Sequence, residues 1–137
     1  MEDRVPRCVR TIRRICGIIA FALVASTALA QGQPQAPAQL ETTLSNMLTA
    51  LQNNSLADFV SGGDAAFQYG MTQQMLSGLN AQFGPGLKRG YTTTFLGTLN
   101  QEGHTVYLWK ISFKDGQDDR LFTMAVKDGK VSGYFLR

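Results

Sequence analysis

The chain has 137 residues, room for one domain, and carries 13 Lys and Arg against 10 Asp and Glu. Five of the bases (Arg4, Arg7, Arg10, Arg13, Arg14) and two of the acids (Glu2, Asp3) lie in the first thirty residues; removing them leaves eight of each, so the rest of the chain is neutral and carries no clustered basic footprint for nucleic acid. Both cysteines, Cys8 and Cys16, fall in the same leading stretch, which excludes a disulfide, a thiolate nucleophile and a cysteine-based zinc site from the remainder.

Residues 1–30 read as a secretory signal peptide. The arginines precede an apolar run from Ile15 to Ala25, and Ala28-Leu29-Ala30 supplies a small-residue cleavage pattern before Gln31. The run is shorter than the roughly 20 residues a spanning helix needs. Export to the periplasm or outside the cell is therefore expected, with no stable membrane anchoring after leader cleavage. Arg13-Arg14 lacks the flanking residues of a twin-arginine signal. Residues 31–39, QGQPQAPAQ, carry no apolar period and are expected to be a flexible linker, leaving 40–137 as a single domain.

Leu40, Leu44, Met47, Leu48 and Leu51 share one helical stripe, predicting a core-facing helix that ends at Asn53-Asn54. Ser55-Leu56-Ala57-Asp58 has the spacing of a capping box with Asp in place of Glu, opening a short helix that Gly62-Gly63 stops. The segment from Asp64 to Gly70 is too short to assign, with Phe67 and Tyr69 expected to point inward. Thr72 is the expected N-cap of a further helix, with Met71 and Leu76 as a hydrophobic staple and Leu76, Leu79 and Phe83 as its stripe; Gly84-Pro85-Gly86 is expected to end it.

From Tyr91 the pattern turns β-branched and aromatic, predicting four antiparallel strands in sequence. Across Asn100-Gln101-Glu102-Gly103 the register is open: one pairing puts Thr94 and Leu96 on the core face, a one-residue change puts Phe95 there. Asp128-Gly129 suits a two-residue hairpin turn, because both positions need φ > 0. It sets Val126 opposite Val131, Met124 opposite Gly133 and Phe122 opposite Phe135. A turn at Asp115–Asp118 would set Ile111 opposite Phe122, Trp109 opposite Met124 and Tyr107 opposite Val126. Both turns place these residues on one apolar face. The other face, with Val106, Leu108, Lys110, Leu121, Ala125, Ser132, Tyr134 and Leu136, is mixed where a solvated face would be polar, so a partner is expected to cover part of it. The fold class is therefore α+β, with N-terminal helices packed on a curved four-stranded antiparallel meander.

Chemical motifs are sparse. His104 is the one histidine and sits at a predicted turn; alone it builds neither a triad nor a three-ligand zinc site. No G-x-S-x-G elbow, P-loop or G-x-G-x-x-G occurs. No metal, cofactor or catalytic residue is expected. The residues placed at a ligand site are Asp64 and Tyr69 at a pocket mouth, Trp109 and Met124 on the inner face, where a sulfur–aromatic core contact competes with a ligand role, and Arg120, expected to pair with Asp118 or Asp119 or to lie over Phe113.

The element order, the segment Asn54, Ser55, Asp58, Phe59, the Met71-Thr72 helix start, Phe83-Gly84 and the terminal run from Val126 to Phe135 together resemble a family of small exported domains of unknown function. That family lies within the nuclear-transport-factor-2-like, cone-shaped and cystatin-like superfamily. The resemblance spans roughly Leu40 to Arg137 and its motifs are structural. It implies a sheet curled around a pocket and a homodimer through the outer sheet face. The function expected is thus non-enzymatic binding of a small apolar ligand or a protein partner; the alternatives are a homodimeric interaction module using the outer sheet face and an isomerase- or cyclase-like enzyme.

Overall fold

Residues 32–137 are described by a computed structural model, and they form α1 (Ala38–Asn53), α2 (Leu56–Val60), α3 (Ala65–Gly70), α4 (Gln73–Arg89), β1 (Tyr91–Gln101), β2 (His104–Phe113), β3 (Arg120–Lys127) and β4 (Lys130–Leu136). The leader reading of 1–30 lies outside the described residues. The strands make one antiparallel sheet in the order β1-β2-β3-β4, with the helices before it in sequence, so the α+β meander is as expected. Among the described residues no helix is long and apolar enough to cross a membrane.

The stripe read from the sequence is the buried face of α1: Leu40, Leu44, Met47, Leu48 and Leu51 are all in the core. The helix ends where Asn54 takes the left-handed conformation, φ 55°, and its last carbonyls gain a partner from α4, where Asn80 Nδ2 donates to Leu51 O at 2.7 Å and Gln52 O at 3.2 Å. Such groups cost stability if left unpaired. In α2 the Ser55 hydroxyl donates to the Asp58 carboxylate at 2.7 Å and makes no cap to the backbone. Thr72 caps α4 through its hydroxyl, which accepts from Met75 N, with Met71 and Leu76 both buried.

Three expectations are corrected. First, α4 does not stop at Gly84-Pro85-Gly86; it continues to Arg89 and ends at Gly90, φ 111°. Pro85 forgoes only its bond to the carbonyl of exposed Ala81, and the added turn buries Leu87 and sets Gly86 against the Phe113 ring, which an added Cβ would approach to 3.0 Å. Second, the β2–β3 connection is wider than a four-residue turn, running from Lys114 to Asp119. Trp109 therefore pairs with Phe122, Tyr107 with Met124 and Ile111 with Arg120, a slip of two residues that keeps every side chain on its expected face. The wider loop is held by Arg89 on Asp115 and by Lys110 on Asp119 at 3.3 Å. Hydrogen bonding from Arg89 holds the Asp115 carboxyl below the usual carboxylate range.

The third correction matters most. Val126 does pair with Val131 across the Asp128-Gly129 turn, but a bulge at Ser132 then shifts the register by one: Ala125 pairs with Gly133, Met124 with Tyr134, Thr123 with Phe135 and Phe122 with Leu136. A one-residue slip reverses faces. Tyr134 and Leu136, expected outside, pack against the core, whereas Phe135, expected inside, is 53% exposed. A second bulge, at Leu96, resolves the open β1 register: Phe95 lies opposite Trp109 with ring centroids 5.5 Å apart, and Leu96 is exposed.

The core between helices and sheet is built on Trp109, Phe59, Phe122, Leu44, Leu48, Leu51, Leu76, Ile111 and Met124, each essentially inaccessible to solvent. Burial of a side chain of this size contributes about 1.5–3 kcal/mol. The corrected register has a direct consequence. Phe122→Ala should cost about 3–5 kcal/mol in urea unfolding at low protein concentration, the range for an emptied aromatic core site, and Phe135→Ala should stay within about 0.5 kcal/mol. Equal losses at the two positions would contradict the bulge.

Candidate functional site

The five residues expected at a ligand site do not converge. Asp64 is the N-cap of α3: its carboxylate accepts from Phe67 N at 2.8 Å. Its own N–H donates to Val131 O, and Val131 N donates to Gly62 O, so the Gly62–Asp64 turn forms a parallel bridge along β4. Gly63 fits there because the Phe67 ring and the Val60 carbonyl occupy the space a side chain would need. Tyr69, expected to point inward, is 89% exposed, because the short α3 turns only Phe67 to the core. Trp109 and Met124 are both fully buried, on cross-strand pairs two residues apart and so on the same face. Arg120 lies over the Phe83 ring of α4, 5.9 Å from its centroid, and not over Phe113.

Sequence reading missed the partner of Trp109. Its indole N–H donates to Glu41 Oε1 at 2.9 Å across the domain. A buried N–H without an acceptor would cost about 1–3 kcal/mol, so the only acid in the first turn of α1 has a structural task. Neighbouring hydrophobic periodicity revealed the helix, but nothing in its spacing marks a bond spanning 68 residues.

The inner wall is filled and apolar: among the described residues no polar or charged residue is buried, and no cluster of three or more His, Cys, Asp or Glu could hold a metal. Of the hollows around this core, three are wide enough to receive a ligand. One, of about 550 Å³, is bounded by residues 32–35, Glu41 and Thr93–Phe95. Another, of about 560 Å³, sits at the turn end of the outer sheet face beside Gln101, Glu102, His104 and Ser132. The third is an apolar groove of about 280 Å³ where α3, the start of α4 and β4 meet, lined by Phe67, Met71, Met75, Gly133 and Tyr134. In it the Tyr134 hydroxyl donates to Met71 Sδ at 3.6 Å, and burial pushes the phenol pKa up, so it remains a neutral donor.

The outer sheet face is the more extensive feature. Register aligns its residues in cross-strand rows: Leu99, Val106, Ala125 and Gly133 in one, Gly97, Leu108, Thr123 and Phe135 in the next. Neither row contains a charge. Leu99 is 49% exposed, and Val106, Leu108, Thr123 and Ala125 are half-buried. Charges flank them, with Lys110 at one end and Lys127 paired to Lys130 at the other, and the Arg137 guanidinium lies over the Phe135 ring, 5.2 Å from its centroid. An antiparallel sheet face left to water would be polar at alternate positions; eight uncharged positions together form a contiguous patch of the kind that marks interaction sites.

The placement of Asp64 separates a helix cap from a chemical group. Asp64→Ala should lower stability by about 1 kcal/mol, the typical value of a lost N-cap, whereas Asp64→Asn should retain most of it. A thermal or urea midpoint unchanged in Asp64→Ala would remove the capping role.

No family model matches the chain, and no curated protein matches it. Among solved structures it is similar to an uncharacterized cystatin-fold protein from Novosphingobium aromaticivorans, at 15% identity over 74% of this chain and 99% of the other, TM-score 0.38. It is also similar to a nuclear-transport-factor-2-like protein of unknown function from Cytophaga hutchinsonii, at 7% identity over 76% of this chain and 91% of that one, TM-score 0.37.

Proposed function

We propose that this is an exported, non-enzymatic recognition domain that acts by binding a protein surface through its outer sheet face, the partner being a second copy of the chain. The observation that carries the reading is the pair of uncharged cross-strand rows, with Phe135 and Leu99 both about half exposed on that face. The interior supports it from the other side. Acid–base chemistry on a substrate calls for a titratable group within hydrogen-bond reach of a bound molecule, and here Asp64 caps its own helix while Glu41 serves the Trp109 indole. Neutrality outside the leader means that two copies meet without net repulsion. Export rests on the arginine-led apolar stretch and the Ala28-Leu29-Ala30 pattern.

Sedimentation equilibrium on the exported protein, whose N-terminal sequence should begin at Gln31, is expected to give a dimer. Leu108→Glu should convert it to a monomer, since a charge buried in an apolar contact costs several kcal/mol when unpaired. A wild-type monomer at high concentration would sink the reading.

The groove between α3, α4 and β4 favours a second reading, a site for a small apolar ligand. Its aromatic and thioether lining adapts to planar apolar molecules, and Met75 is 51% exposed at its edge. An environment-sensitive naphthalene dye should then bind the folded protein and be lost in Met75→Glu, with the fold unchanged by circular dichroism. Dye binding that is insensitive to this substitution would exclude the groove.

A further inference from the structure

Each outer row is graded in bulk, and the two gradients run in opposite directions. Leu99-Val106-Ala125-Gly133 falls from large to bare going from β1 to β4, while Gly97-Leu108-Thr123-Phe135 is bare at β1 and largest at β4. The bare ends are open: a Cβ placed on Gly97 would meet nothing within 4 Å, and one on Gly133 would meet only the Ala125 Cβ at 3.9 Å. Resting on the reading that this face binds a second copy, we propose that the two sheets meet about a two-fold axis parallel to the strands and midway between β2 and β3, with β1 of each protomer over β4 of its partner.

This axis reverses each row onto itself. Leu99 then projects into the space over the partner's Gly133, Val106 meets the partner's Ala125, Leu108 meets the partner's Thr123, and Phe135 fills the space over the partner's Gly97. Every large side chain faces a small one, as close packing at about 10 Å between sheets demands. The contact is isologous, so each complementary pair occurs twice. Twist sets aligned sheets about 30° apart, which keeps the positions nearest the axis, on β2 and β3, most closely superposed. The alternative two-fold, running across the strands between the rows, stacks each strand on itself. It also seats Leu99 over the partner's Gly97 and Phe135 over the partner's Gly133, but it sets Val106 against the partner's Leu108, ridge on ridge, and leaves Ala125 against the partner's Thr123, a gap over a gap.

Charge favours the same axis. The β1–β2 and β3–β4 turns lie at the same end of the sheet, so the parallel axis brings Glu102 toward the partner's Lys127 and Lys130. The across-strand axis sends both turns toward the β2–β3 loop, where Asp115 and Asp119 are already engaged by Arg89 and Lys110.

Gly133 is the position that tests the geometry, since it lacks the positive φ that Gly97 has at 143° and a side chain there is tolerated by the fold. Gly133→Leu should raise the dimer dissociation constant about tenfold or more by striking the partner's Leu99, a factor equivalent to about 1.4 kcal/mol. Adding Leu99→Ala should bring it back toward the starting value; adding Phe135→Ala should not. A dissociation constant unmoved by Gly133→Leu, or one restored by Phe135→Ala in place of Leu99→Ala, would overturn the parallel axis. With Leu108→Glu still breaking the dimer, those outcomes leave the face as the binding surface and remove only this arrangement. A wild-type monomer would remove both.

Discussion

A single extra residue in β4 organises this domain. Between the Val126–Val131 and Ala125–Gly133 pairs, Ser132 is left over, and its hydroxyl donates to Ala125 O at 3.2 Å. Side chains alternate along a strand, so one unpaired residue exchanges the faces of everything after it. Tyr134 is thereby turned onto Phe59 and Phe67, with ring centroids 5.1 and 5.9 Å away and near-perpendicular planes, and stacks with Phe122 at 6.4 Å. Phe135 is turned out. The same event closes the core over α2 and α3 and gives the outer face its largest exposed ring.

The edges of the sheet follow from this arrangement. β4 is an edge strand, and its outer side is partly occupied by Gly62–Asp64 through two backbone hydrogen bonds. Asp64 can serve there because it caps α3 at the same time, which places Phe67 beside Tyr134. At the other side of the domain, Trp109 is surrounded by Phe95, Tyr107 and Phe122 and bonded to Glu41. Aromatic contacts of this geometry add about 0.5–1.5 kcal/mol beyond burial. Two aromatic groups thus tie the helices to the sheet, and the polar side chains near them are taken up by structural bonds.

A filled interior moves the question of function to the surface. Superfolds host unrelated activities, so the site must carry the argument. Here the proposed site is an outer face with two uncharged cross-strand rows whose bulk lies at opposite ends, a form suited to another sheet. The apolar groove beside β4 shares Gly133 with the face, so a ligand there and a partner across the sheet would lie on either side of the same strand.

Much of the fold was legible in the residues. The α1 stripe, the Thr72 cap, the Asp128-Gly129 turn and the shared face of Tyr107, Trp109, Ile111, Phe122 and Met124 are local patterns, set by periodicity and turn chemistry within a few residues. What the residues could not determine was where a periodicity is interrupted. Whether Ser132 and Leu96 bulge, whether α4 runs through Pro85 and whether Asp115 is drawn out to Arg89 depend on neighbours distant in the chain, whose packing outweighs the local preference. The candidate face was affected most: Leu108 and Val106 were placed on it by alternation alone, but Phe135 joined it, and Tyr134 and Leu136 left it, only because the tertiary core had room for a phenol beside Phe59 and Phe67.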